Sequence, residues 1–302
     1  NKSIISMKKL FLFLAAVVFI QLFSQSAYAQ LTGTKNIPGD YPTLTAAISD
    51  LNTVGVGAGG VILNVIAGNS QSVPAGGYSI TATGTVANQI VIQGNGNIVT
   101  AASTLTAGAL NDGIFKIIGA DYITITGFDM RENAANTTTT AGSNNMTEWG
   151  VAILYATTTN GAQNVTISGN TITLNRTYQN TFGIYSNSTH TATAVTSSAT
   201  ATGANGGNHN LSITGNNISN VNNGITVVGP TAAADQNTMI TIGGSALLGN
   251  TITNYGTTGT FSGYVNVSGT VNGILVRNTR SFEISYNTVT SSAGGTTSGT
   301  LR

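Results

Sequence analysis

Apolar and polar positions alternate along this chain in short bursts. In Val165-Thr166-Ile167 and Asn170-Thr171-Ile172-Thr173-Leu174 the aliphatic residues trade places with Thr, the two-residue period of a strand with one face buried. Val165, Ile167, Ile172 and Leu174 are therefore expected to point inward, and Thr166, Thr171 and Thr173 outward. Between the bursts stands Gly169-Asn170, a pair suited to a sharp bend because Gly accepts positive φ and Asn tolerates it better than most residues.

The phrase is repeated. Asn210-Leu211-Ser212-Ile213-Thr214-Gly215-Asn216-Asn217-Ile218 matches residues 164–172 nearly position for position. Leu248-Gly249-Asn250-Thr251-Ile252 and Phe282-Glu283-Ile284-Ser285-Tyr286-Asn287-Thr288-Val289 carry it again; residues 122–130 are a variant and residues 90–95 a fainter one. Between most of these copies runs a further short strand opened by glycine, at Gly113, Gly150, Gly183, Gly224 and Gly273. Each repeat thus holds at least two strands and a turn.

A strand, a bend and a strand with the same corner each time predict a winding chain and not hairpins. Equivalent strands then lie parallel, and parallel crossovers are overwhelmingly right-handed. The expected fold is all-β: a right-handed parallel β-helix, a solenoid whose rungs stand about 4.8 Å apart. Stacking predicts one buried column of Ile125, Ile167, Ile213 and Ile284 and a second of Met130, Ile172, Ile218, Ile252 and Val289. It also predicts a structural ladder of Asn170, Asn216, Asn250 and Asn287, each amide bonding to the next and so keeping its polar groups satisfied.

Upstream, Leu44, Ala47, Ile48 and Leu51 fall on one face of a short helix with Thr43 as its N-cap. Such a capping helix would lid the N-terminal end of the stack and cover its open edge, with a strand following over 59–66. The Gly-rich stretch 55–60 lacks the Lys-Ser/Thr of a phosphate loop and reads as a turn. Residues 133–147 and 186–208, tracts of Thr, Ser, Ala, Asn and Gly, read as solvated loops outside the stack.

Tyr41-Pro42-Thr43-Leu44-Thr45-Ala46-Ala47-Ile48, taken with the I-x-G-N-x-I phrases around Gly169, Gly215 and Gly249, resembles the right-handed parallel β-helix, or pectin lyase-like, superfamily over residues 38–290. The resemblance is specific for fold and unspecific for chemistry. Lyases of that family imply acidic calcium ligands and a basic residue that abstracts a proton; its hydrolases imply two or three carboxylates converging on a glycosidic oxygen. The layout is also similar to large bacterial surface proteins exported by the type IX route, which implies a C-terminal sorting domain beyond this sequence.

Composition narrows the classes. Charged residues make up 6% of the 302, where roughly 25% is usual, while Thr (49), Gly (38) and Asn (34) dominate. Thr, Asn and Gly are weak helix formers, so a helical bundle is excluded, and the regular aliphatic spacing excludes a charged disordered tail. Cysteine is absent, which removes disulfides, thiol nucleophiles and Cys-ligated zinc. Lys8 and Lys9 precede an apolar run at 10–23, and Ala27 and Ala29 fit a signal-peptidase site before Gln30. That run falls short of the roughly 20 residues that span a bilayer. Residues 1–29 are thus expected to be a cleaved signal peptide. Residues 30–302 form a single β-helix domain, expected to be the N-terminal part of a longer protein that is secreted or held on the outer surface of a bacterium. Losing Lys2, Lys8 and Lys9 takes the net charge from +1 to −2. The remaining dispersed cations cannot build a nucleic-acid-binding face, no membrane span remains after processing, and a monomer is expected.

The densest charged cluster is Asp129-Met130-Arg131-Glu132, with Glu148 and Arg176 as prospective neighbours. Asp129 and Arg131 hold outward positions that other repeats give to Thr, so they share a face. Asp129, Arg131 and Glu132 are the catalytic candidates, and Asp129 and Glu132 the candidate ligands of Ca2+ if the chain is a lyase; otherwise no cofactor is expected. His190 and His209 pair with no acid in the sequence. The reading that fits the neutral composition is a non-catalytic surface or adhesion stalk binding polysaccharide or cell-surface glycan through Tyr and Asn on its flank. The alternative is a polysaccharide lyase or glycoside hydrolase acting on acidic glycans. A second alternative is ice binding through the outward rows Thr171/Thr173, Asn217/Ser219, Thr251/Thr253 and Thr288/Thr290, although β-propensity alone also favours Thr there.

Overall fold

A computed structural model describes residues 29–103, 105–192, 200–256 and 271–291. Residues 1–28 of the expected signal peptide, 193–199 of the second insertion and the tract from 292 onward lie outside the described residues. Strand β1 (Leu31–Ile37) and helix α1 (Leu44–Val54) open the structure. Each later turn then lays one strand on each of three sheets. The first such turn is β2, β3 and β4 (Val56–Val65, Gln71–Ser72, Tyr78–Ile80), the second β5, β6 and β7 (Ile90–Gln93, Ile98–Thr100, Gly113–Ile118), and the third β8, β9 and β10 (Ile123–Thr126, Asp129–Arg131, Trp149–Leu154). There follow β11, β12 and β13 (Val165–Ser168, Thr171–Thr173, Phe182–Asn187), β14, β15 and β16 (Leu211–Thr214, Asn217–Ser219, Asn223–Val228) and β17, β18 and β19 (Ile240–Ile242, Thr251–Thr253, Ile274–Arg277). Strands β20 and β21 (Phe282–Ile284, Thr288–Thr290) close the described part.

Sheet A runs β1-β2-β5-β8-β11-β14-β17-β20, sheet B β3-β6-β9-β12-β15-β18-β21, and sheet C β4-β7-β10-β13-β16-β19. Every pairing between these strands is parallel. The molecule is a parallel β-helix with three strands to the turn, the third being the glycine-opened one.

Residue stacks on residue as the repeat requires. In sheet B, Met130, Ile172, Ile218, Ile252 and Val289 are in register, but on the last described turn Val289, like Ile284 of sheet A, is 42% exposed, so the burial expected of both columns stops one turn short. In sheet A the column is Ile125, Ile167, Ile213, Ile242 and Ile284. Ile242 corrects the column expected from sequence, which passed from Ile213 straight to Ile284. The omission has a local cause: residues 243–249 separate β17 from Asn250 where the other turns need only a Gly-Asn bend.

The opening glycines of sheet C answer a steric demand. A Cβ on Gly183 would lie 2.4 Å from Ile218 Cγ2, and one on Gly224 2.7 Å from Ile252 Cγ2; on Gly273 it would meet Val289 Cγ1 at 2.3 Å. The backbone of sheet C therefore passes directly over the isoleucine column of sheet B, and only glycine leaves room. At the bend between sheets A and B the demand is different: Gly169 and Gly215 have φ of 63° and 64°, in the left-handed region.

The asparagines at that bend hydrogen-bond from turn to turn. The Nδ2 groups of Asn170, Asn216 and Asn250 donate to Oδ1 of Asn216, Asn250 and Asn287 at 3.1, 2.9 and 2.8 Å. Each of these Oδ1 atoms also accepts the main-chain N–H of the preceding asparagine. The second Nδ2 proton goes to a carbonyl of sheet A, that of Ile125, Ile167 or Ile213. Asn170, Asn216 and Asn250 are 1% exposed, so a fully used amide is what makes their burial tolerable. Phe128 holds this position one turn earlier, packed on Phe115 in place of an amide, and its N–H donates to Asn170 Oδ1. Shorter amide stacks join Asn95, Asn64 and Asn36, and Asn210 to Asn164.

Helix α1 packs Leu44, Ala47, Ile48 and Leu51 against β1, β2 and β4, with Thr43 Oγ1 accepting the Ala46 N–H at 3.2 Å. Gly55 caps it at φ 73°. The stretch 55–60 is not the expected turn: Val56 to Gly60 already belong to β2 and pair with β1 through a register shift between Leu31 and Gly33. Gly59 and Gly60, with φ of 86° and 80°, absorb the bulge, and a Cβ on Gly60 would lie 2.5 Å from the Gln89 carbonyl.

The two insertions also differ from solvated filler. Asn144, Met146 and Thr147 of the first and Ser188, Thr189 and Ala192 of the second are buried. They cover the outer side of sheet C, where Trp149, Ala152, Leu154, Phe182, Tyr185 and Ala192 form a second apolar cluster outside the helix interior. Trp149 stacks on Tyr185 with ring centres 5.2 Å apart, and the Ala192 N–H donates to the Leu110 carbonyl at 2.8 Å. Short side chains proved no bar to burial, because the large apolar partners come from the sheet beneath.

Candidate functional site

Strands β9 and β12 lie side by side in sheet B with Asp129 beside Thr171 and Arg131 beside Thr173. Continuing outward, Asn217, Thr251 and Thr288 extend the first row, and Ser219, Thr253 and Thr290 the second. Arg131 grips Asp129 on the same strand with two hydrogen bonds, Nε to Oδ1 at 3.0 Å and Nη2 to Oδ2 at 2.5 Å. Both carboxylate oxygens of Asp129 are thereby engaged. The pairing raises the affinity of Arg131 for its proton, through that hydrogen bond first and the charge of Asp129 second.

Glu132 leaves this face. Its Oε1 accepts from the Asn133 N–H (2.9 Å), Asn136 Nδ2 (2.8 Å) and Thr147 Oγ1 (2.9 Å), and its Oε2 from the Thr147 N–H (2.9 Å). The carboxylate thus binds the first and last residues of the insertion 133–147 together. Burial pushes its pKa up, against the pull of these four donors. The expectation that Asp129, Arg131 and Glu132 act as one cluster is corrected accordingly: an ion pair stands on the sheet and a buried loop clamp beside it.

Glu148, just past that insertion, is fully buried. Its Oε2 accepts the Asp112 N–H at 2.8 Å and its Oε1 the Tyr178 hydroxyl at 2.5 Å. It ties together the segments that lead into β7, β10 and β13. Burial raises its pKa well above the ordinary carboxylate range, with Asp112 and Glu132 adding to the effect. Asp112 is pushed up to about 6 by burial, with Glu132 raising it further and Lys116 opposing; its Oδ2 is buried without a hydrogen-bond partner. Lys116 is lowered by burial, an effect that Asp112 and Glu148 oppose. Of this buried set the sequence singles out Glu132 and Glu148 but neither Asp112 nor Lys116. The set's one visible signal is that two of only nine carboxylates bracket the insertion, Glu132 at its start and Glu148 at its end.

The loops held in this way wall a groove. A cavity of about 570 Å³ lies between the segment after β9 and the segment after β12, lined among others by Glu132, Asn133, Asn136, Leu174, Arg176 and Asn220. A second hollow of about 380 Å³ over Asp129, Arg131, Thr171 and Thr173 shares Glu132 and Leu174 with it, so the two are continuous. Arg176 contributes a guanidinium whose Nη1 is buried and without a hydrogen-bond partner. Of the prospective neighbours, Arg176 therefore joins Glu132 at the groove and Glu148 lies under it.

Among the described residues no three His, Asp or Glu side chains gather as a metal ion would require. His209 is engaged through Nδ1, which accepts the Thr238 N–H at 3.1 Å, and its pKa is lowered by burial and then by Arg280. His190 contacts the Tyr155 carbonyl and ring. No helix among the described residues is long and apolar enough to cross a membrane. Among models of protein families, curated proteins and solved structures, none matches this chain.

Proposed function

We propose that the chain is a non-catalytic stalk of an exported bacterial surface protein that binds glycan in the groove on sheet B. The observation that carries this reading is the state of the groove's polar groups. Both carboxylates in it are spent, Asp129 on Arg131 and Glu132 on the insertion, whereas the Arg176 guanidinium lines it with no ion pair to any described residue. Glycosidic cleavage needs carboxylates free to protonate or attack, and a recognition groove needs donors and amides. Arg176, with the Asn220 amide beside it, suits a sugar bearing a carboxylate. Export rests on the features of residues 1–29.

Titrating the processed chain with polygalacturonate and alginate, with and without Ca2+, tests this. Saturable binding is expected, weakened about tenfold or more by Arg176→Ala, a loss of about 1.4 kcal/mol, with no rise in absorbance at 235 nm. Unsaturated product that disappears in Asp129→Ala or Arg131→Ala would replace the stalk reading with the lyase one, and no binding to either polymer would overturn it. The register of the rows Thr171-Asn217-Thr251-Thr288 and Thr173-Ser219-Thr253-Thr290 favours ice binding as a second reading, which a solution without thermal hysteresis would remove.

A further inference from the structure

A different face carries a second site. On the outer side of sheet A a trough of about 350 Å³ runs along the helix axis over β8, β11 and β14. Its floor is a single file of hydroxyls, Thr124, Thr166 and Ser212, held in register by strand pairing and therefore about 4.8 Å apart. None of the three hydroxyls is engaged by another group among the described residues. Its wall is formed by the residues that precede the three strands, Tyr122, Asn164 and Asn210, all left-handed with φ of 56°, 56° and 52°. Asn210 Nδ2 donates to Asn164 Oδ1 at 2.6 Å, which leaves the Asn164 Nδ2 donors for a ligand. Val86, 75% exposed at the tip of a turn closed between Thr85 and Asn88, stands at one end.

Tyr122 is the informative residue. Asn is at ease in the left-handed region, whereas a bulky aromatic there is strained. Among the described residues the Tyr122 ring and hydroxyl have no aromatic contact and no hydrogen bond, so neither kind of interaction offsets the strain. What Tyr gains over Asn is a flat apolar surface with a polar tip, placed beside a row of unused hydroxyls. No residue lining the trough is charged. We infer that this trough binds an uncharged oligosaccharide lying along the solenoid axis, its C–H face on the Tyr122 ring and its hydroxyls on Thr124, Thr166, Ser212 and the Asn164 amide. The site is independent of the groove on sheet B, which presents guanidinium groups and suits an acidic sugar.

Calorimetric titration of the processed chain with cellohexaose, xylohexaose and mannohexaose tests the inference, using wild type, Tyr122→Asn and Arg176→Ala. At least one hexasaccharide is expected to bind wild type, and Tyr122→Asn to weaken it about tenfold or more while raising Tm, because Asn relieves the left-handed strain. A residue that served the fold alone would lower Tm when replaced. Arg176→Ala is expected to leave the uncharged ligand's affinity unchanged. The inference is overturned if none of the three sugars binds, if Tyr122→Asn binds as wild type does, or if Arg176→Ala alone abolishes binding, which would move the sugar to sheet B.

Discussion

Sheets B and C are built from the same repeat, paired in the same parallel manner, and present opposite exteriors. Along sheet B from β9 onward the outward residues are polar, and Asp129, Thr171, Asn217 and Thr251 are all at least partly exposed. Along sheet C every position of β10, β13 and β16 is buried. A strand that carries Thr outward needs no cover, whereas one that carries Trp149, Leu154 and Tyr185 outward must recruit it. The described parts of the two insertions supply that cover. The groove owes its walls to this asymmetry: Glu132 and Glu148 fix segments that sheet C has drawn in, and the exposed face of sheet B meets them at their edge.

The sharpest way to break the contrast is to empty the outer cluster of sheet C. Trp149→Ala removes the largest fully buried side chain and its stacking on Tyr185, and is expected to cost about 3–5 kcal/mol. Thermal unfolding should show that loss, and hydrogen exchange should show the segments over sheet C opening while the strand amides of sheets A and B stay protected. Thr171→Ala on sheet B should fall within about 0.5 kcal/mol of wild type. Equal losses at the two positions would mean that the two exteriors contribute alike.

A smaller effect separates the faces by pH. Asp112 binds its proton more tightly in the folded chain, at about 6 against 3.8. Its contribution to stability is therefore complete below about pH 4 and is lost as the pH rises toward 6. Glu132 and Glu148, also raised, act in the same direction, and Lys116, lowered, in the opposite one. Stability is expected to fall by about 2 kcal/mol between pH 4 and pH 7 through Asp112. Asp112→Asn should remove most of that slope and raise Tm at pH 7. A slope unchanged in the variant would assign the pH dependence to the two glutamates.

The fold was legible because its grammar is periodic. Alternating Thr and Ile, the Gly-Asn bend and the opening glycines each repeat, so one copy interprets the next, and the helix at 44–54 carries an ordinary cap and apolar face. Where periodicity lapses, so does legibility: an insertion replaces the bend after Ile242 and hides its place in the column, and the glycines of the bulge at Val56 to Gly60 resemble those of a loop. The outward rows of sheet B and the Asp129–Arg131 pair could be placed from register alone. The clamp at Glu132 and the burial of Glu148 could not, since they depend on where a non-repeating loop returns, and no period encodes that. Tyr122 was visible only as a variant letter, and it takes on meaning once its φ is seen beside those of Asn164 and Asn210.

The smallest expected effect concerns the charged pair on the outer face of sheet B. Arg131 holds Asp129 with good geometry, but its side chain is 52% exposed and the pair stands open to solvent. Water and salt screen such a bridge, and ordering a long side chain offsets much of what remains. Arg131→Ala is therefore expected to leave Tm at the wild-type value at any ionic strength, and Asp129→Ala likewise. Their influence should surface instead in binding, because removing Arg131 frees both Asp129 oxygens in the floor of the groove and sets a bare negative charge against an acidic sugar. Affinity for polygalacturonate should then fall in Arg131→Ala and recover in the double variant Asp129→Ala/Arg131→Ala, a pattern measurable by titration at low salt. If the double variant binds no better than Arg131→Ala, the guanidinium itself contacts the glycan and the role of the pair is recognition in place of mutual neutralisation.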